Sequence, residues 1–347
     1  MSAKYGIREL TFPAENDTLY AVYEKEVFLL NVLETIGKIG IIPVIKITEI
    51  ETALPLAKAL CDGGLPAAEI TFRTDCAAEA ISLIAKNYPN MLVGAGTVLT
   101  VAQVEQAVNA GAKFIVSPGL NPAVVSYCVS RNIPVIPGCA TPSDIEKALE
   151  LGLDTVKFFP AEAAGGLPMI KALSAPYKVK FVPTGGINEK NILPYLLYDK
   201  VLACGGSFMV NDELLKNKDY AGITALTKKA VDIMLGFTLA HIGINAENEA
   251  QAKKAALLLS EMFHFNVSEL PVSYFAGPFE VMKSKGAGRN GHIAVGTNSV
   301  ERACFYLKNK GFEFDESTIL YDDKGRMRFI YLKDELLGFA IHLTLNK

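Results

Sequence analysis

Lys157 stands inside Thr155-Val156-Lys157-Phe158-Phe159-Pro160, a run otherwise suited to burial on both faces. Taking an ammonium out of water is costly unless it is paired, and desolvation favours the neutral amine. A neutral amine is a competent nucleophile toward a ketone, with which it forms a Schiff base. Taken alone, the residue reads first as a structural salt bridge or a lysine at a strand end reaching solvent. Glu69 and Arg73 bracket Glu69-Ile70-Thr71-Phe72-Arg73-Thr74. The plain reading of that spacing is an ion pair. Chemically, a carboxylate near an amine shuttles protons, and a guanidinium holds a substrate carboxylate through two parallel hydrogen bonds. Thr97 closes Gly94-Ala95-Gly96-Thr97, and Pro118 sits in Ser117-Pro118-Gly119. Lys46, in Pro43-Val44-Ile45-Lys46, reads as a charge lining the mouth of a site. Two glycine pairs follow, in Pro183-Thr184-Gly185-Gly186-Ile187 and Cys204-Gly205-Gly206-Ser207. Glycine lets an anion approach the backbone, where amides and hydroxyls donate to its oxygens. One such pair is a tight turn; two, each beside a hydroxyl residue, read as a phosphate cradle. Lysine, acid, arginine and cradle together describe chemistry on a phosphorylated keto acid.

These residues need strands to hold them. Short β-rich apolar runs recur at Ile41–Ile47, Ala67–Phe72, Met91–Ala95, Lys113–Ser117, Ile133–Ile136, Asp154–Phe159, Lys180–Thr184 and Val201–Cys204. Between them, Glu51–Cys61, Ala77–Asn87 and Val101–Ala110 repeat apolar residues at helical spacing. Continuous hydrophobic strands alternating with helices predict a parallel sheet, and eight such units predict an α/β fold of the (β/α)8 TIM-barrel type. In that fold the site lies at the C-terminal strand ends, with phosphate after strands seven and eight, where the two glycine pairs fall. Thr141-Pro142-Ser143-Asp144 supplies a cap and an early proline for the helix after the fifth strand. Lys25–Gly37 has the pattern of an amphipathic helix ending at glycine, and Tyr220–Leu235 is the expected closing helix, stopped by Gly236.

The remaining residues cannot belong to the same barrel, and they repeat. Leu239–Asn245 followed by helical Glu249–Phe263 is echoed by Gly291–Thr297 followed by helical Val300–Lys310, and the halves end in Pro278–Lys283 and Phe339–Leu345. The expectation is a small α+β domain of two βαβββ-like modules. The domain boundaries expected are a 1–24 extension, a 25–236 barrel and a 237–347 second domain. All four histidines lie beyond residue 240, and His241, His292 and His342 fall in strands, with Glu280 at the first half's counterpart of His342. Period-two alternation puts each on the face opposite its isoleucine or valine neighbour. Ligands of this kind on one concave face suit a divalent metal; the competing reading is a fold-mate serving as an oligomerisation or regulatory module. His264, on the helix, reads as a surface or core residue.

Composition narrows the classes. The chain of 347 residues is 50% hydrophobic and 20% charged, which suits sizeable cores and excludes disorder. With 34 basic and 37 acidic residues the net charge is −3, so no electrostatic footprint for nucleic acid is present. Six scattered cysteines without a C-x-x-C pair read as buried free thiols. No apolar run is long enough to span a membrane and the start lacks a signal-peptide core, so a soluble cytoplasmic protein is expected.

The ordered set GGLPAAEITFRT, VGAGTVL, FIVSPGL, IPGCATPSD, VKFFPAE, PTGGI and GGS resembles the 2-keto-3-deoxy-6-phosphogluconate (KDPG) and 4-hydroxy-2-oxoglutarate (KHG) aldolase family over about residues 25–235. The resemblance implies a class I aldolase that needs no cofactor and takes a phosphorylated 2-keto-3-deoxy sugar acid, releasing pyruvate. It places the Schiff-base lysine on Lys157 and the general acid/base on Glu69. The carboxylate-side contacts fall on Arg73, Thr97 and Pro118, and the phosphate contacts on Thr184, Gly185, Gly186, Gly206 and Ser207. It also implies a homotrimer. The sibling substrate of galactonate configuration differs only at C4 and stays open, as do a non-catalytic sugar-acid-binding barrel and an isomerase barrel, which would not need the lysine. Residues 238–346 resemble the glyoxalase-like, vicinal oxygen chelate superfamily, which implies a divalent metal on His241, Glu280, His292 and His342. That family's last ligand is commonly glutamate, where this chain has His342.

Overall fold

The computed structural model describes residues 32–346. The expected extension 1–24 and the first part of the Lys25–Gly37 helix lie outside the described residues. The helix itself continues through residue 39 and stops at Gly40, which takes a left-handed φ of 76°. The stop is therefore not at Gly37, where a Cβ would come within 2.8 Å of Leu202.

Eight parallel strands follow: β1 (Ile41–Ile45), β2 (Ala67–Thr71), β3 (Leu92–Gly96), β4 (Ile115–Val116), β5 (Val135–Ile136), β6 (Thr155–Phe158), β7 (Lys180–Pro183) and β8 (Cys204–Gly206). Six of them form one sheet in the order β5-β4-β3-β2-β1-β8, and β6 pairs with β7. Isolated parallel bridges join the seams, Gly138 to Lys157 on one side and Phe181 to Val201 and Thr184 to Gly205 on the other. The strands thus neighbour one another in chain order around an α/β barrel. Its interior is close-packed: Phe114, Phe158 and Phe181 are fully buried, and Gly94 leaves the space that the Phe114 ring fills, since a Cβ there would lie 2.3 Å from it.

The helices form where periodicity and caps coincide. Ala77–Asn87 buries Ala77, Ala80, Ile81 and Ile84, the stripe that three- and four-residue spacing predicts. Pro142–Glu150 opens with a reciprocal capping box between Thr141 and Asp144. Tyr220–Leu235 ends at Gly236 in the left-handed region, as expected. The largest shift from the sequence reading is at β8. It begins at Cys204, where the apolar run had been expected to end, so Gly205 and Gly206 lie within the strand and pair with Ile42 and Pro43.

A second, mixed sheet holds β9 (Thr238–Asn245), β10 (Val267–Glu269), β11 (Ser273–Ala276), β12 (Phe279–Met282), β13 (Gly291–Thr297), β14 (Phe314–Tyr321), β15 (Met327–Leu332) and β16 (Phe339–Leu345). Their order is β10-β11-β12-β9-β13-β16-β15-β14. A helix follows β9 (Glu249–Phe263) and another follows β13 (Val300–Lys308), so each half runs βαβββ. The first half has its own small core of Ala252, Ala256, Tyr274, Ala276 and Val281. The second half does not: Val300, Ala303, Cys304, Phe314, Ile330 and Leu343 are continuous with the barrel's core. Arg302 completes the junction, donating from Nε to the Gly37 carbonyl at 3.1 Å, from Nη1 to Leu196 at 3.0 Å and from Nη2 to Leu202 at 3.1 Å. Those carbonyls precede β1 and β8, at the N-terminal end of the barrel strands. No helix among the described residues is long and apolar enough to cross a membrane. All six cysteines are free, and burial pushes the Cys128, Cys139, Cys204 and Cys304 thiols up to about 12.

Candidate functional site

Lys157 projects from the middle of β6 into the barrel, where it is 5% exposed, and Nζ lies 3.2 Å from Oε1 of Glu69 on β2, itself 4% exposed. The pair spans 88 residues of sequence, so only ring closure brings it together. An ion pair this far from water is held by its mutual hydrogen bond, and one proton moved along that bond gives a free amine beside a carboxylic acid. The neighbouring strand makes the room: a Cβ on Gly96 of β3 would lie 2.2 Å from Glu69 Oε1. The Phe159 ring centroid lies 5.5 Å from Nζ.

Arg73 does not pair with Glu69. It lies past the end of β2, exposed, and its Nε donates to Thr97 Oγ1 at 3.3 Å. The ion pair suggested by spacing is absent because Glu69 points into the barrel, whereas Arg73 belongs to the loop above it. Thr97 takes a φ of 56°, a strained conformation for a β-branched residue and one that turns its hydroxyl toward Arg73. Pro118 is half-buried beside Gly138, where a Cβ would come within 2.1 Å of the Pro118 carbonyl oxygen. Lys46 is exposed just beyond β1.

The loop after β7 is held from behind. Gly185 and Gly186 take φ values of 98° and 82°. The Thr184 carbonyl accepts from Ala161 N–H at 2.7 Å, and that of Gly185 from Glu162 N–H at 3.1 Å. The Gly186 carbonyl accepts from Asn188 Nδ2 at 3.1 Å and Asn191 Nδ2 at 3.0 Å. The N–H groups of Gly186 and Ile187 have no acceptor among the described residues. Successive free amides in left-handed turns make an anion-binding concavity. Thr184 is buried, Ser207 is exposed, and Gly206 is buried against Phe208, so the two glycine segments stand side by side, with Thr184 bridging to Gly205. Behind the loop the Tyr195 hydroxyl donates to Glu162; burial and that bond push the tyrosine pKa up. The roles of Asn188, Asn191 and Glu162 were not read from the sequence. Asparagines just after a glycine pair are a turn signal, and only the fold says what their amides tie down.

The second sheet gathers its own cluster. His241 of β9, His292 of β13 and His342 of β16 place ring nitrogens within 4.8 Å of one another. His241 Nε2 lies 3.1 Å from His292 Nε2, and Glu280 Oε2 of β12 lies 3.0 Å from the first and 3.1 Å from the second. Burial pushes the Glu280 carboxyl up, but bonds from His241, His292 and Ser273 outweigh it and hold it well below the usual range. Burial, with His292 and His241 adjoining, pushes His342 down to about 4, so its ring offers a lone pair at neutral pH. His292 Nδ1 and His342 Nδ1 are buried without a partner. Three imidazoles with ring nitrogens within 4.8 Å of one another, two of them about 3 Å from the Glu280 carboxylate, form a donor group that could hold a divalent ion. Gly243 is what admits His292, since a Cβ there would meet its ring at 2.0 Å. His264 is the exposed left-handed cap just past its helix, away from the cluster.

Residues 32–226 match the family described as KDPG and KHG aldolase. A 2-dehydro-3-deoxy-phosphogluconate aldolase of Treponema pallidum (strain Nichols) is 47% identical over 207 residues, 59% of this chain and 99% of that protein. A KHG/KDPG aldolase of Escherichia coli (strain K12) is 44% identical over 193 residues, 55% of this chain and 91% of that one. Among solved structures, a KDPG aldolase from Legionella pneumophila, with pyruvate captured as a covalent carbinolamine, superposes with a TM-score of 0.55 at 44% identity, covering 57% of this chain and 97% of that one. The Zymomonas mobilis ZM4 enzyme with 3-phosphoglycerate gives 0.54 at 42% identity, covering 57% and 94%.

Proposed function

This chain belongs to the KDPG and KHG aldolase family, and from that premise we propose that its barrel cleaves 2-keto-3-deoxy-6-phosphogluconate to pyruvate and glyceraldehyde 3-phosphate, and 4-hydroxy-2-oxoglutarate to pyruvate and glyoxylate. The observation that carries the reading is the buried Lys157–Glu69 pair inside the barrel. In it, the Lys157 amine adds to the C2 ketone, and the carbinolamine loses water to an iminium. Glu69, directly or through a water, accepts the C4 hydroxyl proton as the C3–C4 bond breaks, and the bonding pair flows to the iminium nitrogen. The aldehyde leaves, the enamine takes a proton at C3, and hydrolysis returns pyruvate and the amine. Arg73, hydrogen-bonded to Thr97, faces the pyruvyl carboxylate with Thr97 and Pro118 as its companions; Thr184, Gly185, Gly186, Gly206 and Ser207 face the phosphate. Borohydride reduction of the protein with pyruvate, followed by peptide mass mapping, tests this. A reduced pyruvyl adduct on Lys157 and an inert Lys157→Ala variant are expected; cleavage by that variant at the wild-type rate overturns the assignment.

For the paired βαβββ sheet we read a vicinal-oxygen-chelate-like module whose His241, His292, His342 and Glu280 hold a divalent ion. The donor set gathered on one face of the sheet supports that reading. A bound ion would supply Lewis acidity to a chelated oxygen substrate. Zinc, manganese or nickel added to chelator-treated full-length protein should raise its melting temperature, and His292→Ala should remove the shift. No bound or stabilising ion would leave an unmetallated module.

A further inference from the structure

The loop after β7 carries a specificity device that rests on the phosphate-cradle reading. In a trans peptide the carbonyl and the amide hydrogen point in opposite directions, so holding the oxygen aims the N–H. The Gly185–Gly186 peptide is held by Glu162 N–H, a backbone group. The Gly186–Ile187 peptide is held only by side chains, the carboxamides of Asn188 and Asn191, which converge on one oxygen at 3.1 and 3.0 Å. Both amides are fixed in orientation by their other ends. Asn191 Oδ1 accepts from Asn188 N–H at 2.8 Å, and Asn188 Oδ1 accepts from Lys190 N–H at 2.9 Å, so each Nδ2 must face Gly186. Gly186, at a φ of 82°, flanks this peptide on one side, and no strand pairs with it to keep it from flipping.

We infer that Asn191, together with Asn188, is a positioning pair that locks the Gly186–Ile187 peptide with its N–H toward the substrate phosphate, and so sets the preference for phosphorylated over unphosphorylated keto acids. Neither side chain needs to touch substrate. An unphosphorylated substrate, which ends short of the cradle, does not draw on the lock.

The experiment compares wild type, Asn191→Leu and Asn188→Leu on both aldol substrates, with inorganic phosphate as a competing inhibitor. In each variant KM for the phosphorylated substrate should rise about tenfold, the lower range for losing a hydrogen bond to a charged group. The inhibition constant for inorganic phosphate should rise in parallel, while kcat stays within about twofold and 4-hydroxy-2-oxoglutarate is cleaved with unchanged KM. That last readout also reports an intact fold. If KM rises equally for both substrates, the asparagines only support the barrel; if neither KM moves, the peptide is held without them. Either result overturns the inference and leaves the cradle standing. A wild-type enzyme that neither prefers the phosphorylated substrate nor responds to inorganic phosphate removes the cradle reading, and this inference with it.

Discussion

Among the described residues, Lys157 has Glu69 as its ion-pair partner and no other. Removing either leaves a buried charge that must neutralise itself, so substitutions here test chemistry only if they keep shape. Glu69→Gln is such a change. It should lower kcat by roughly 10²–10⁴-fold, the usual worth of a positioned acid/base, while borohydride still traps pyruvate on Lys157. A kcat near the wild-type value would take the proton shuttle away from Glu69. Gly96→Ala makes the same point from the next strand. Its Cβ would lie 2.2 Å from the carboxylate, so the expected loss of turnover comes from displacing Glu69 rather than from any lost contact of the glycine. A crystal structure of the variant, with Glu69 swung from Lys157, would check it.

At the level of elements, strand and helix ends do most of the positioning. The helix Pro142–Glu150 starts on a capping box in which the Thr141 hydroxyl accepts from Asp144 N–H, while the Asp144 carboxylate accepts from the backbone N–H groups of Ala140 and Thr141. Thr141→Ala should cost about 1 kcal/mol in urea unfolding. Burial pushes the Asp144 carboxyl up, but these bonds outweigh it and hold it below its ordinary value of 3.8. A depressed carboxylate stabilises the fold fully above its unfolded value and loses that contribution as pH falls through the folded one. The gap between wild type and Asp144→Ala should therefore be complete at neutral pH and close as the pH drops below about 3.8; a gap independent of pH would show that the charge is not involved. In the second sheet, Gly243 stands opposite both His292 and Glu280 in register. Gly243→Ala should abolish metal-induced stabilisation while leaving aldol cleavage unaffected.

On the scale of the whole molecule, the second sheet docks on the end of the barrel away from Lys157. Arg302 spends its guanidinium on three backbone carbonyls, two of them at the ends of helices, where a positive charge is favourable. Arg302→Met strands those carbonyls at a junction whose core is continuous with the barrel's, and should cost roughly 2–5 kcal/mol. Denaturant unfolding would report the loss, and proteolysis would show new cleavage near Gly236. The aldolase KM should not change, because the junction lies at the N-terminal strand ends; an altered KM would show that the docked sheet reaches the barrel mouth.

Much of this was legible before any fold was known. Eight apolar runs announced eight strands, and glycine pairs marked the loop after the seventh and the end of the eighth, because burial leaves composition and period in the chain; one lysine among phenylalanines raised an interior amine but left open a strand-end lysine reaching solvent. The histidine spacing likewise placed three imidazoles on one sheet face, since strand alternation is local. What local pattern could not say is who meets whom. Glu69 chose Lys157 over Arg73 because closure of the ring, 88 residues long, decides which strand ends face each other. The glycine pair of β8 moved into the strand because Ile42 and Pro43 of β1 pair with it where the barrel closes. Asn188 and Asn191 became a brace, and Gly96 and Gly243 became room for other residues' side chains, for one reason. A vacancy or a hydrogen bond belongs to two segments at once, and a sequence lists its segments one at a time.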